Sequence, residues 1–369
     1  MSIENFRTTL KANARVIAFY LPQYHPIPEN DEWWGKGFTE WTNVGKAKRL
    51  FRGHHQPNVP ADLGYYDLRV PETRKAQADL AREHGIEGFC YWHYWFGNKK
   101  RLLERPFNEV VSSGEPDFPF CLAWANDSWK GFAYGINNRN LLIEQLYPGV
   151  KDYTDHFYEV LPAFKDKRYI LADGKPIFMI YRPLADKEIV VFIETWRRLA
   201  VENGLKGIFF IGHILDSRIK IEDVMKCGVD AVNVVRLDNY QLNYRSKFIR
   251  YYKYFNKLLR GIPQTYSYKK VSKYFTIPEI DSDENVFPSI IPGWDHSPRS
   301  SKEALILTDP TPELFGRHVE DVLSIVCKKT FEKRIVFIKS WNEWAEGNYM
   351  EPDLRFGKKF LEVLKSKLF

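Results

Sequence analysis

Residues 340–347 read Ser-Trp-Asn-Glu-Trp-Ala-Glu-Gly and place two carboxylates, Glu343 and Glu346, three positions apart beside Trp341 and Trp344. The segment directly follows Arg334-Ile-Val-Phe-Ile-Lys339, a short apolar run that reads as a buried strand. If the chain turns helical there, both carboxylates share one face, with Cβ atoms about 5–6 Å apart. Cleavage of a glycosidic bond commonly uses two nearby carboxyl groups, and aromatic faces suit the C–H-rich sugar ring. The competing reading is a solvated first helical turn, where acidic side chains are favoured by the helix dipole. The flanking tryptophans and the strand end favour the catalytic reading, which makes Glu343 and Glu346 the candidate pair and Trp341 and Asn342 candidate sugar contacts.

Eight short runs rich in β-branched and aromatic residues supply the elements to position that pair: 15–20, 86–91, 118–124, 176–181, 207–212, 229–235, 285–291 and 334–339. All have the length of a buried parallel strand. Helical patterns lie between most of them. Pro71 opens a helix that Gly85 ends. Asp186 caps a stripe of Val190, Ile193, Arg197 and Ala200, and Thr311-Pro312 starts another with Phe315, Val319, Val322 and Val326 on one face. A last helix is expected over 355–368. Strand–helix alternation repeated eight times predicts an α/β fold of the (β/α)8 barrel type. An open doubly wound sheet is the alternative, but no Gly-x-Gly-x-x-Gly follows any strand. No internal repeat or linker divides residues 1–369, which are read as one catalytic barrel domain.

The length beyond a plain barrel of about 250 residues lies after the strands, at 21–66, 126–150, 236–284 and 292–309. These loops line the active face of such a barrel and here carry the chemistry-bearing side chains. Tyr24, His25, Trp41 and Asn43 follow the first strand, each also readable as purely structural. The second strand ends in Tyr91-Trp-His-Tyr-Trp-Phe96; period two sets Trp92 and Tyr94 on one side and His93 and Trp95 on the other, without saying which side faces the mouth. Trp124, Asn126 and Asp127 end the third strand, where Asp127 either binds hydroxyls or caps a turn. Tyr181 closes the fourth, and a Pro-Gly turn presents Trp294 and Asp295 after the seventh.

Composition narrows the class. Aromatic residues make up 16% of the chain, with eleven tryptophans, many in polar neighbourhoods that suit carbohydrate faces. A net charge of +7 is too modest for a dedicated nucleic-acid binder. Cys90, Cys121, Cys227 and Cys327 form no CxxC pair, which predicts free thiols, a reducing compartment and no structural zinc. The N-terminal residues lack a secretory apolar region, and no run approaches the roughly 20 residues of a membrane span, so a cytoplasmic location is expected. No spacing specific to a metal appears, and Gly-x-Ser-x-Gly and the P-loop are absent. Neither metal nor cofactor is expected. Residues 247–260 carry Lys247, Arg250, Lys253, Lys257 and Arg260 at helical spacing, with aromatic and aliphatic residues between them. This reads as an outer barrel helix with a solvated face, or as a contact for anionic membrane lipid or a lipid-linked glycan.

Taken in order, these motifs resemble the WbsX-type proteins of bacterial surface-polysaccharide clusters, a family named as glycosyltransferases and similar to the endo-α-mannosidases of glycoside hydrolase family 99. The resemblance runs from Ala18-Phe-Tyr-Leu-Pro-Gln-Tyr-His25 through Gly53-His-His-Gln-Pro57, Leu63-Gly-Tyr-Tyr-Asp-Leu-Arg69, Gly174-Lys-Pro176 and Pro292-Gly-Trp-Asp-His-Ser-Pro-Arg299 to Trp341-Asn-Glu-Trp-Ala-Glu-Gly347 and Glu351-Pro352. It implies a (β/α)8 barrel acting without metal and with retention at the anomeric carbon. It also implies that Glu343 acts as base on the substrate's own 2-hydroxyl to form an anhydro-sugar, while Glu346 protonates the leaving oxygen and then activates water. Asp127 departs from the Glu usual after Trp-Ala-Asn in that family. Three functions follow for testing: an enzyme at an α-glycosidic bond of a polysaccharide, a biosynthetic glycosyltransferase using an activated donor, and a non-catalytic glycan-binding barrel.

Overall fold

The computed structural model describes residues 12–131, 140–239 and 261–369, together with Tyr251, Phe255 and Leu259. Eight parallel strands form its centre: β1 (Arg15–Tyr20), β2 (Gly88–Trp95), β3 (Phe120–Trp124), β4 (Lys175–Ile180), β5 (Phe209–Ile214), β6 (Ala231–Val234), β7 (Val286–Ile290) and β8 (Ile335–Ile338). Each pairs in parallel with the next along the chain, and β8 returns to β1 through Ile17↔Phe337 and Ala18↔Ile338. The sheet is thus closed, a (β/α)8 barrel. Every expected run carries one of these strands, because a strand buried on both faces must be apolar throughout.

Helices Pro71–Glu83, Val150–Phe164, Glu188–Glu202, Pro312–Val326 and Lys359–Leu368 are amphipathic and bury one stripe against the barrel. Thr311 caps the fourth by accepting from Leu314 N, and Asp186 accepts from Glu188 N at the start of the third. The last helix begins at Lys359, later than expected. The Asp353 carboxylate accepts from the backbone N–H groups of Arg355 and Phe356, and Gly357 adopts a left-handed φ of 55°, so a capped turn replaces the first helical residues. All four cysteines are free thiols. Most of the basic 247–260 segment, and part of the loops after β3 and β6, lie outside the described residues. Among the described residues no helix is long and apolar enough to cross a membrane.

Register decides which side chains enter the barrel. Phe19, Trp92, His213, Asn233, Ser289 and Phe337 face inward at matched or adjacent register positions. Their rings meet across the axis: Phe19 stacks on Trp92 at 4.8 Å and lies 5.3 Å from both Phe337 and His213. His93, Trp95 and Trp124 alternate outward, into the layer beneath helices Val150–Phe164 and Glu188–Glu202.

Candidate active site

Past β8 the chain forms a tight hairpin rather than an α-helix. Asn342–Glu343 pairs antiparallel with Asn348–Tyr349 across a single 3-10 turn, Trp344–Glu346. Buried Ser340 sets up the turn, its Oγ accepting from the N–H groups of Asn342 (3.1 Å) and Glu343 (3.0 Å). Gly347 completes it at φ 57° against the 292–297 loop; a Cβ there would lie 2.7 Å from Asp295 Cβ. From the other side, Asp295 N donates to Glu346 O at 2.6 Å.

This turn brings both carboxyls onto one guanidinium. Arg299 Nη2 lies 3.0 Å from Glu343 Oε2, and Arg299 Nη1 bonds Glu346 Oε1. The same guanidinium bonds Glu40, with Nε 3.2 Å from Oε2 and Nη2 3.1 Å from Oε1. Attachment to neighbouring nitrogens of one side chain keeps the pair within the roughly 5–10 Å at which two carboxyls serve one glycosidic bond. Their electrostatics diverge. Burial, reinforced by the charge of Glu346, pushes the Glu343 carboxyl up to about 8 despite Arg299 and Lys339. Burial also pushes Glu346 up, but Arg299 outweighs it, with His296 and Lys339 adding, and its carboxyl lies below the usual range. Glu343 therefore favours its protonated form and Glu346 its ionised form.

A buried network holds the hairpin from behind. The Tyr24 hydroxyl donates to Asn342 O and accepts from Trp344 N at 3.3 Å. Asn342 clamps the loop after β1, accepting from Leu21 N (2.8 Å) and donating to Leu21 O (3.0 Å). Glu351 accepts from Trp344 Nε1 (2.6 Å), the Tyr66 hydroxyl (2.9 Å) and Gln77 Nε2 (2.7 Å), and burial raises its carboxyl to about 7 against these bonds. Trp344 stacks on Tyr349 at 3.8 Å, and Trp341 is fully buried against Phe89. The tryptophans that suggested a sugar platform thus belong to the core beneath the carboxyls.

The structure sorts the remaining sequence candidates. Trp41 packs on Trp344 at 5.6 Å, and Asn43 donates to Glu40 (3.3 Å), so both border the carboxylate group. Tyr181 and Trp92 meet edge to face at 5.4 Å in the floor of the mouth, and half-buried Trp294 stands in its wall beside Lys339. The Asp295 side chain turns away, bonding His54 Nε2 (2.8 Å) and Gln56 Nε2 (2.7 Å). His93 is removed from the mouth: its Nε2 lies 2.7 Å from His156 Nε2. Trp124 is removed too, with Nε1 donating to Trp95 O and its ring on Phe192. Their odd or even position on a strand dictates this, because the opposite face belongs to the helix layer. His25 has Asp67, Arg69 and Arg105 as its charged neighbours and bonds Pro22 O. Asn126 is occupied with Tyr147 and the Arg182 backbone, and half-exposed Asp127 pairs with Arg182 at 3.1 Å.

Sequence reasoning did not single out Arg299, Glu40, Tyr66, Glu351, His213 or Lys339 as site residues. Arg299 and Glu351 stand inside motifs quoted above, and Glu40 precedes Trp41; no spacing along the chain announces that they converge. Among the described residues no group of three or more His, Cys, Asp or Glu side chains is arranged to hold a metal ion.

Comparison with known proteins bears on the fold and the family. The structure is similar to a solved "Glycoside hydrolase-like protein" (TM-score 0.60, 16% identity, covering 100% of this chain and 99% of that one). It is also similar to the GH99 endo-alpha-mannosidase from Bacteroides thetaiotaomicron (TM-score 0.54, 13% identity, covering 96% and 95%). At these identities the likeness concerns the fold. In sequence, the chain is 34% identical over 359 residues to the "Uncharacterized protein WxcX" of Xanthomonas campestris pv. campestris, a match covering 96% of this chain and 50% of the relative. The chain therefore spans about half the length of that relative. The family model described as "Glycosyltransferase WbsX" matches residues 16–364, nearly the whole barrel, and the chain belongs to this family of carbohydrate-active proteins.

Proposed function

We propose that this protein acts at an α-glycosidic bond of a bacterial surface polysaccharide, with Glu343 and Glu346 as its acid–base pair. The observation that carries the reading is the convergence of two carboxyls, buried Glu343 and largely buried Glu346, on Arg299 at the mouth of a closed barrel. By resemblance, Glu343 removes a proton from the substrate's 2-hydroxyl and Glu346 donates one to the leaving oxygen. The resting tendencies run the other way, with Glu343 the raised carboxyl and Glu346 the lowered one, so that scheme requires the proton to pass to Glu346 when substrate binds. Leaving-group dependence tests the assignment. An E346Q variant is expected to recover turnover on an α-glycoside with an activated aryl leaving group, which needs no acid, whereas E343Q stays slow on both. Full turnover by both variants on a cleavable glycan would end the proposal.

Transfer is the second reading, favoured by the family's name. It uses the same pair with a sugar hydroxyl in place of water. A thermal-shift screen against sugar nucleotides separates the two, since only a nucleotide-dependent transferase shifts with a donor.

The glycan is proposed to be lipid-linked or near a membrane. Tyr251, Phe255 and Leu259 lie four residues apart and are 66%, 54% and 76% exposed, within the segment that carries Lys247, Arg250, Lys253, Lys257 and Arg260. Exposed apolar residues interleaved with cations suit an anionic bilayer surface. Co-sedimentation with vesicles is expected only when anionic lipid is present; identical pellets without it would exclude the contact.

A further inference from the structure

Lys339 directly follows β8, and period two turns it inward with Phe337. It is 7% exposed, and its Nζ lies 5.6 Å from the centroid of the Trp294 ring. Its charge acts on Glu343 and Glu346, yet among the described residues it forms no ion pair and donates no side-chain hydrogen bond. The stem is buried while the ammonium nitrogen is not among the fully buried unpartnered atoms, so the charge opens onto the mouth, where a bound group can reach it.

His213, also inward-facing and 2% exposed, lies close enough for the Lys339 charge to act on it. Its Nδ1 is 2.7 Å from Asn233 Oδ1. Asn233 donates its amide to Phe287 O and Ser289 Oγ, both at 2.9 Å, so its oxygen faces the ring and the imidazole hydrogen resides on Nδ1. His213 Nε2 is then an acceptor, and it is buried without a partner. Tyr181 stacks on the ring at 5.5 Å, and burial keeps it neutral near pH 7. The floor of the mouth thus holds a cation with no direct ion-pair partner among the described residues and an acceptor without a donor, beside the Trp294 face.

We propose that Lys339 and His213 form a subsite for an acidic sugar residue, the ammonium taking an anionic oxygen of a carboxylate or phosphate substituent and His213 Nε2 accepting from a neighbouring hydroxyl. A neutral sugar satisfies the imidazole but leaves the ammonium charge uncompensated once the mouth is filled. The subsite rests on the reading of the mouth as glycan-binding, and it narrows the substrate class to polysaccharides containing hexuronate or phosphorylated sugar.

Calorimetric titration with methyl α-D-glucuronide, D-mannose 6-phosphate and neutral methyl α-D-glucoside tests it. At least one acidic probe is expected to bind about tenfold more tightly than the neutral one, as suits a hydrogen bond to a buried charge. Which acidic probe does so distinguishes carboxylate from phosphate. Lys339→Met removes the preference and Lys339→Arg retains it. Equal binding of all three, no binding of either acidic probe, or a preference that survives in a folded Lys339→Met protein overturns the subsite. If Lys339→Met does not fold, the wild-type comparison decides alone. Turnover of a neutral glycan without acid preference sinks only the subsite; acid preference without Glu343- and Glu346-dependent turnover on acidic glycans sinks only the enzymatic reading.

Discussion

Glu343 and Glu346 bond adjacent nitrogens of one guanidinium, yet their surroundings drive their protonation apart. Glu343 is buried more strongly than Arg299 compensates, while Glu346 receives the larger share of positive charge from Arg299, His296 and Lys339. A pair that must hold one proton gives a bell-shaped pH–rate profile whose limbs belong to the pair rather than to either residue. The alkaline limb is expected near pH 8, where the second proton site empties, and the acid limb below the ordinary carboxylate range. Each of Glu343→Gln and Glu346→Gln should lower turnover by about 10²–10⁴ and remove one limb of the profile.

Arg299→Met leaves Glu40, Glu343 and Glu346 facing one another without the cation between them. The Glu346 carboxyl then rises, and the acid limb moves to higher pH. Turnover should fall by about 10²-fold or more, as for loss of a preorganised charged group. Arg299→Lys restores the charge but not the forked contacts, so its recovery should be partial. An unmoved acid limb in Arg299→Met would show that the guanidinium does not set the pair's protonation.

Glu351 touches no part of the mouth but holds Trp344, and through it the hairpin that carries both carboxyls. Glu351→Leu strands three donors, from Trp344, Tyr66 and Gln77, at about 1–3 kcal/mol each. Melting temperature should drop, and kcat should fall more than KM rises. Folded-state pKa values of about 7 for Glu351 and about 8 for Glu343 lie above the unfolded value near 4.3. Their stabilisation is therefore complete below about pH 4.3 and is lost as pH rises through 7 to 8. Buried histidines such as His213 and His318, held down to about 3, act in the opposite sense at acid pH. The diagnostic quantity is thus the difference between wild type and Glu351→Gln: the loss of stability between pH 5 and 8 should be smaller in the variant.

Gly347→Ala tests the fit of the hairpin against the loop after β7. The left-handed φ of 57° disfavours alanine, and its Cβ would press on Asp295 N at 2.8 Å, where Asp295 donates to Glu346 O. A folded protein, destabilised by about 1–3 kcal/mol and with Glu346 displaced from Arg299, should lose most of its turnover. Melting curves and turnover measured together check this; wild-type activity would show that the turn tolerates the shift.

The eight strands were readable because a parallel strand covered on both faces is a continuous apolar run, and helices betray themselves by period and by caps such as Thr311. The second strand's boundary was less legible: it begins at Gly88 and continues through Trp95, its last residues pairing antiparallel with Arg101 and Leu102. Glu343 and Glu346 were legible because their partnership is local, three residues apart at a strand end. What sequence left open was direction and company. Alternation separates Trp92 from His93 but does not name the inward side; the helix bearing His156 claimed one face, and Phe19 met the other. Trp341 and Trp344, flanking the acids in the chain, went to the core. Arg299 lies 44 residues from Glu343 and 259 from Glu40, yet all three side chains meet. Such contacts exist only because closing the barrel gathers all eight loops at one end. Patterns within a segment determine its local structure, but the charge and burial around a side chain are set by segments that meet only after the sheet closes.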